Sequence, residues 1–218
     1  YIGYADGTLT ERLNSAKLLA HAIAIDQEIV QRAVSGQTIE ASYDWYIEQK
    51  VLKSYLDGMA VDKPYVKKIA VVLNNGRVYQ SGSELLVLRD FRTSWFQSAL
   101  GSSKLVVSYL TDTADAMRIT RPVMSGKAIV GTVFIEISID TLCEAYQLRP
   151  LENATLLVFT DQDELFYAQG EHTALASLAH IADQKTGYAS LMGSEYFVVR
   201  YPSAVGGLVT LGLIRRDS

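Results

Sequence analysis

Cysteine is nearly absent from this sequence. Cys143 stands alone among 218 residues, which excludes an internal disulfide framework and any CxxC metal site. Histidine is almost as scarce. Of His21, His172 and His180, the last two lie eight positions apart, too far for the i,i+4 pairing of a helical zinc site. There is no excess of positive charge: 20 lysines and arginines face 24 acids, for a net charge of −4, and no basic stripe points to nucleic acid as a partner. Low-complexity tracts are missing, and with 49% apolar and 20% charged residues the composition suits neither a disordered nor a fibrous chain. Long hydrophobic runs are missing as well. The stretches "AIVGTVFI" (128–135) and "AVGGLVTLGLI" (204–214) fall short of the roughly 18–20 residues a membrane span requires. With Tyr1 at its start and no signal peptide, the sequence reads as an excerpt of a longer or processed protein.

The motifs of common enzymes are absent too: no GxSxG elbow, no P-loop, no GxGxxG. The one tempting signal is "LLVFTDQDEL", an apolar strand ending in Asp161 and Asp163, as in phosphotransferases that place a nucleophile and a general acid at a strand end. Only 55 residues follow Asp163, too few for the alternating strands and helices such a fold needs, and the same spacing suits a solvated hairpin turn. The loop also lacks the glycine and terminal glutamate of a calcium-binding EF-hand. "GSSK" at 101–104 reads as a polar turn. No acid, base and nucleophile are assembled, so the chain is expected to be non-catalytic and to need no cofactor or metal.

What the sequence does have is patterned apolar residues. Leu9, Leu13, Ala16, Ala20 and Ile23, then Val30 and Val34 after a polar step at Gln27, recur four and three apart. That is one helix with a single apolar stripe over about 9–35, startable by Thr8 or Thr10 and closed by Gly36. The stripe has two uses open to it, packing on its own protein or pairing with a second copy as a homodimer. A second helical region at about 44–57 precedes a change to period two. "KKIAVVL", "NNG" and "RVYQS" form a hairpin signal, because Asn-Gly tolerates the positive φ of a tight turn. Further strands are expected at 105–110, 117–124 and 128–138, with a helix at about 140–148.

The remainder repeats this plan. "TLLVFTDQDELFYAQG" (155–170) parallels "IAVVLNNGRVYQSG" (69–82), and each ends in Tyr-x-x-Gly, at Tyr79/Gly82 and Tyr167/Gly170, 88 residues apart. A helix at about 172–183 and strands at 187–192, 195–201 and 208–214 complete the copy, with Pro150 at the seam. The expected fold class is α+β: a long N-terminal helix (1–37) and two tandem modules (38–150 and 151–218), each an antiparallel sheet with helices.

One short stretch is unlike the rest. "LRDFRTSWFQSALGSS" (88–103) packs Arg89, Arg92, Trp95 and Phe96 beside Asp90. From it run "R..WFQSAL" (92–100), a tyrosine-bearing strand, "ITRPVMSGK" (119–127) and "IVGTVFIEISIDTL" (129–142). In this order the segments resemble the double Cache (dCache) extracytoplasmic sensor domains of bacterial histidine kinases and chemoreceptors. The second module, with "YFVVRYPSAVGGLVTLGLI", is similar to Gram-positive sensor kinases of the YesM type. The resemblance covers nearly the whole chain. It implies two PAS-like modules, a ligand pocket in the larger, membrane-distal one, a membrane-anchored parent and an extracytoplasmic location.

In the amino-acid-binding members an arginine and a tryptophan hold the ligand carboxylate, while a tyrosine and an aspartate hold its ammonium. Trp95 and Phe96 match the aromatic pair, Tyr109 the strand tyrosine and Glu136 the acid, with Arg121 and Phe134 as further candidates. Two departures stand out. The family's arginine lies two before the tryptophan, where Thr93 stands here and Arg92 lies three before; and the acid is Glu, not Asp. On a helix, residues three apart share a face, so Arg92 and Trp95 can still point together.

The residues themselves add independent content. Alternation puts Thr132, Phe134 and Glu136 on one strand face and Val133, Ile135 and Ile137 on the other. A glutamate in so apolar a strand needs a partner if buried. It is either a ligand group of the site or one half of an internal pair with Arg92, Arg118 or Arg121. The expected function is thus sensing of a small polar ligand (amino acid, amine, carboxylate or sugar) for a transmembrane receptor, a histidine kinase first. The alternatives are a chemoreceptor or membrane-bound regulator, or an interaction module that reads a soluble binding protein.

Overall fold

The computed structural model describes residues 1–35, 43–82, 94–109, 116–147 and 153–216, and of Ser94 and Trp95 the backbone only. Arg89, Asp90, Arg92 and the seam proline Pro150 lie outside the described residues.

The apolar stripe does form a helix, α1 (Ile2–Ala24), in which Leu9, Leu13, Ala16, Ala20 and Ile23 are fully buried. It begins seven residues earlier than expected and does not continue to 35. After a break at Ile25 and Asp26 a second helix, α2 (Gln27–Val34), starts afresh. Asp26 causes the restart. Its backbone is extended, and its Oδ1 accepts from the Glu28 and Ile29 amides at 2.9 and 3.3 Å, capping α2. Its Oδ2 accepts from the Tyr55 hydroxyl at 2.8 Å, which ties the break to α3 (Tyr43–Ala60). Glu48 of α3 in turn pairs with Arg32 of α2 at 3.0 Å and with Arg77 at 3.5 Å.

The first sheet contains β1 (Val66–Leu73), β2 (Val78–Gln80), β3 (Val106–Ser108), β4 (Ala116–Ser125) and β5 (Ala128–Ser138), with α4 (Ser94–Leu100) between β2 and β3. Its order is β2-β1-β5-β4-β3, and every neighbouring pair is antiparallel. Two short helical pieces follow β5, α5 (Ile139–Leu142) and α6 (Glu144–Gln147), where one helix over 140–148 was expected. Their separation has a cause distant in sequence. Arg12 donates through Nη1 to the carbonyls of Thr141 and Leu142, groups that a continuous helix would use for its own ladder.

The second sheet holds β6 (Ala154–Thr160), β7 (Leu165–Gly170), β8 (Gly187–Leu191), β9 (Ser194–Pro202) and β10 (Leu208–Arg215) in the order β7-β6-β10-β9-β8, again all antiparallel. Counted from the first strand of each, the two sheets have one and the same order. The helix expected at 172–183 is two 3-10 turns, Thr173–Ser177 and Ile181–Asp183, and the left-handed backbone of His180 (φ 60°) prevents their fusion.

The repeat extends to the hairpin loops. In each, three residues connect the strands. Leu73 N–H donates to Arg77 O at 2.8 Å around Asn74, Asn75 and Gly76, and Thr160 N–H donates to Glu164 O at 2.8 Å around Asp161, Gln162 and Asp163. The third loop residue is left-handed in both, Gly76 at φ 87° and Asp163 at φ 59°. This is the three-residue loop with a bulge rather than the two-residue turn that Asn-Gly suggests.

The chain forms two compact units, one of residues 14–138 around the first sheet and one of residues 1–13 and 139–218 around the second. This division differs from the expected 1–37, 38–150 and 151–218. Helix α1 is not a separate body but contributes its first half to one unit and its second half to the other. Residues 139–147 belong with the second sheet, held there by Arg12, by the Tyr1 hydroxyl donating to Tyr146 O, and by a 3.5 Å bond between the Tyr146 hydroxyl and Thr210 Oγ1.

Candidate ligand-binding face

The register of β4 and β5 decides which side chains share a face. From Arg118 to Pro122 the cross-strand partners are Arg118 with Glu136, Ile119 with Ile135, Thr120 with Phe134, Arg121 with Val133 and Pro122 with Thr132. Near the turn the partners are Met124 with Ile129 and Ser125 with Ala128, so a bulge between Val123 and Met124 shifts the pairing by one. The extra residue, Val130, satisfies its carbonyl with the Asn74 amide at 2.9 Å.

That single bulge corrects one expected site residue. Without it, Arg121 would stand across from Thr132 and share the face of Phe134 and Glu136. With it, Arg121 stands across from Val133 on the opposite face, and Arg118 takes the place beside Glu136. Arg118 Nε reaches Glu136 Oε2 at 3.3 Å, with Arg118 13% and Glu136 30% exposed at the side chain. Of the three arginines open to Glu136 as an internal partner, Arg118 is the one it meets.

On the Glu136 face, a polar row crosses four strands. Lys68 of β1 is the partner of Glu136 in register, Glu136 is the partner of Arg118, and Arg118 is the partner of Ser108 of β3. Among the described residues two cations thus flank one carboxylate, a surplus of one positive charge along the row. Next to the row comes an apolar patch. Phe96 of α4 stacks on Phe134, ring centroids 4.6 Å apart and planes 5° apart, over Ala70 and Val72, with Ala99 beside them. Such a pair contributes about 0.5–1.5 kcal/mol beyond the burial of its area. Within the patch, Thr120 is the cross-strand partner of Phe134 and Thr132 that of Val72; they are 2% and 1% exposed. Neither hydroxyl has a hydrogen-bond partner among the described residues. Buried polar groups are paired in nearly all proteins, so among the described residues these two hydroxyls are positions still open to a hydrogen bond.

The expected residues therefore divide. Phe96, Phe134 and Glu136 come together on one face, the first two in direct contact. Tyr109 is half-buried one residue beyond β3. Arg121 faces the other side, and Arg92 and the Trp95 side chain lie outside the described residues. Sequence reasoning passed over Lys68, Ser108, Thr120 and Thr132 as site residues and took Arg118 only as one partner among three. Period-two alternation could have drawn attention to all five once the register was known.

No catalytic geometry emerges elsewhere among the described residues. Asp161 and Asp163 are exposed in the hairpin loop, the Asp161 amide donating to Gly207 O at 2.9 Å. His172 meets Tyr196 edge-on at 5.9 Å, and His180 lies 3.4 Å from Asp183 at the surface. Cys143 is buried, and burial raises its thiol pKa far above the ordinary value, away from nucleophilic use. Among the described residues no group of three His, Cys, Asp or Glu is placed to hold a metal, and no helix is long and apolar enough to cross a membrane.

No family model matches the chain, and no curated protein matches it either. Solved structures do. The ligand-binding domain of the Campylobacter jejuni chemoreceptor Tlp3 in complex with L-valine aligns with a TM-score of 0.64 at 15% identity, over 99% of this chain and 89% of that one. The ligand-binding domain of the Pseudomonas aeruginosa amino acid chemoreceptor PctC in complex with GABA gives 0.63 at 12%, over 97% and 93%. The sensor domain of the V. cholerae histidine kinase DctB gives 0.63 at 13%, over 99% and 94%. The chain has the two-module, PAS-like α+β fold of these receptor sensor domains.

Proposed function

We propose that this chain is the extracytoplasmic ligand-sensing domain of a bacterial transmembrane receptor, a histidine kinase first and a chemoreceptor second. In this reading the 14–138 unit is the membrane-distal sensing module and the other unit the membrane-proximal one. The observation that carries the proposal is the β4/β5 face. An ion-paired glutamate between two cations stands next to an aromatic stack and two buried hydroxyls that have no partner among the described residues. These groups suit a small polar ligand with a carboxylate: Lys68 and Arg118 attract it, Glu136 is left to meet an ammonium, and Phe96 and Phe134 border its apolar part. The neighbours' ligands, L-valine and GABA, belong to that chemical class. The domain itself does no chemistry in this account; binding shifts its conformational equilibrium, and the parent carries the shift to the cytoplasm.

The test is calorimetric and structural. Amino acids, short amines, carboxylates and sugars are titrated into the purified chain, and amide shifts are followed by NMR. Binding with shifts concentrated at Ser108, Arg118–Thr120 and Thr132–Glu136 supports the proposal. Shifts confined to the second sheet, or no binding by any of these classes, contradict it.

A further inference from the structure

The displaced arginine opens onto a second feature. On the sheet face opposite Phe134, Arg121 lines a cleft of about 520 Å³ at the break between α1 and α2. Ala24 and Ile25 of the break, Val30 of α2, Leu105 and Met124 form its apolar walls. Lys104 and Ser103, just before β3, supply the remaining polar groups.

The charge in this cleft is of one sign. Among the described residues Arg121 and Lys104 line it and no carboxylate does. Among the described residues neither cation forms an ion pair. The carboxylate next to the wall residue Ile25, that of Asp26, is committed through both oxygens to the Glu28 and Ile29 amides and the Tyr55 hydroxyl. Arg121 is half-buried. A guanidinium partly removed from water and left without a counter-charge is costly, and an anion beside it offsets the cost. The walls add a second requirement. A bare inorganic anion gains nothing from Val30, Leu105 and Met124, whereas an apolar body in contact with them leaves water. The volume falls within the range of small-molecule sites.

We infer that this cleft is a second ligand site, for an organic carboxylate with an apolar body. Its two cations lie off the Glu136 face, and of its lining only Pro122, the cross-strand partner of Thr132, belongs to that face, so it stands or falls independently of the proposed sensing site. A molecule bound there would cover Ile25, which is 61% exposed at the helix break, and would touch α1, α2 and β4 together. That position suits an effector that biases the geometry of the break.

The experiment splits the ligand into its parts. Hexanoate and phenylacetate, hexanol and inorganic phosphate are titrated separately into the purified chain by calorimetry, with NMR shifts at Ile25, Val30 and Met124. Hexanoate and phenylacetate should bind, more weakly as salt rises, while hexanol and phosphate bind at least several-fold worse. Arg121→Gln and, separately, the exposed Lys104→Gln should each weaken carboxylate binding, the former about ten-fold. Glu136→Gln should leave the carboxylate-induced NMR shifts at Ile25, Val30 and Met124 unchanged, which separates this site from the other face. Absence of carboxylate binding, equal binding by phosphate or hexanol, or an affinity indifferent to both cation substitutions would overturn the inference. Unaltered circular dichroism of the variants excludes misfolding as the cause of a loss.

Discussion

Glu136 and Arg118 are cross-strand partners on β5 and β4, with Arg118 Nε 3.3 Å from Glu136 Oε2, and Lys68 on β1 is the partner of Glu136 on its other side. The carboxylate separates two cations. Glu136→Gln therefore leaves Lys68 and Arg118 on the same face with no negative charge between them. At 30% and 13% exposure the pair is partly screened, so the expected cost is about 1–2 kcal/mol, below that of breaking a fully buried pair. In a double-mutant cycle with Arg118→Gln, read by urea denaturation, the second substitution should cost clearly less in the Glu136→Gln background, by about 1 kcal/mol. Additive costs would show that the two side chains do not depend on each other.

The two Tyr-x-x-Gly repeats differ at their last residue in a measurable way. Gly82 (φ +77°) has open space where a Cβ would go, whereas a Cβ on Gly170 (φ +115°) would lie 2.3 Å from Ala154 O. Gly82→Ala should cost about 1 kcal/mol of left-handed strain. Gly170→Ala should cost several-fold more, because the partner is backbone and cannot swing aside. Equal thermal shifts for the two variants would contradict the close approach at β6.

Asp26 and Tyr55 give a dependence on pH. Burial first, and then the hydrogen bond to Asp26, push the Tyr55 phenol up to about 12. The sign follows from proton counting. Between the unfolded value of about 10 and the folded value, the native state holds a proton that the unfolded chain has lost, so stability is complete below about pH 10 and falls as pH rises toward 12. Tyr79, Tyr146 and Tyr167 are raised as well, chiefly by burial, and add to the same alkaline loss. Urea midpoints measured from about pH 8 to 11.5 should decline, and Tyr55→Phe should flatten part of the decline. Asp26→Ala should cost about 1 kcal/mol already at neutral pH, through the lost cap of α2.

The strand-end aspartates offer a check on chemistry. With magnesium and an aryl phosphate the purified chain should release no phenol above the buffer rate, and Asp161→Asn should change nothing. Hydrolysis abolished by that substitution would overturn the reading of 161–163 as a hairpin loop.

Most strands were legible as short apolar runs bounded by turn residues; β5 begins and ends where the flanking turns put it, although both of its faces are buried over Gly131–Ile135. The duplicated plan was visible in two tyrosines and two glycines. What escaped the reading depended on single residues acting against a pattern. Asp26 ends α1 inside an otherwise continuous apolar stripe, since the capping geometry that restarts the helix leaves the spacing of apolar residues intact. The carbonyls of Thr141 and Leu142 are taken by Arg12, 129 and 130 residues away, a contact no local window contains. Arg121 was a candidate for the site, but the one-residue bulge at Val123/Met124 turns it to the other face from Glu136, and nothing in "RPVMSGK" marks the bulge. At the candidate site, then, the residue types were legible and the partner of Glu136 was not.

The central claim is that a small polar ligand binds the Glu136 face. The most direct measurement is a thermal-shift screen of amino acids, amines, small carboxylates and sugars, run on the wild type, Glu136→Gln and Trp95→Ala. A ligand at about 100 times its dissociation constant adds about 2.7 kcal/mol to the folded state, enough to raise the melting temperature by several degrees. The account expects at least one such hit on the wild type, lost in both variants while their unliganded melting remains cooperative. Hits that survive both substitutions, or a wild type that responds to none of these classes, would contradict it.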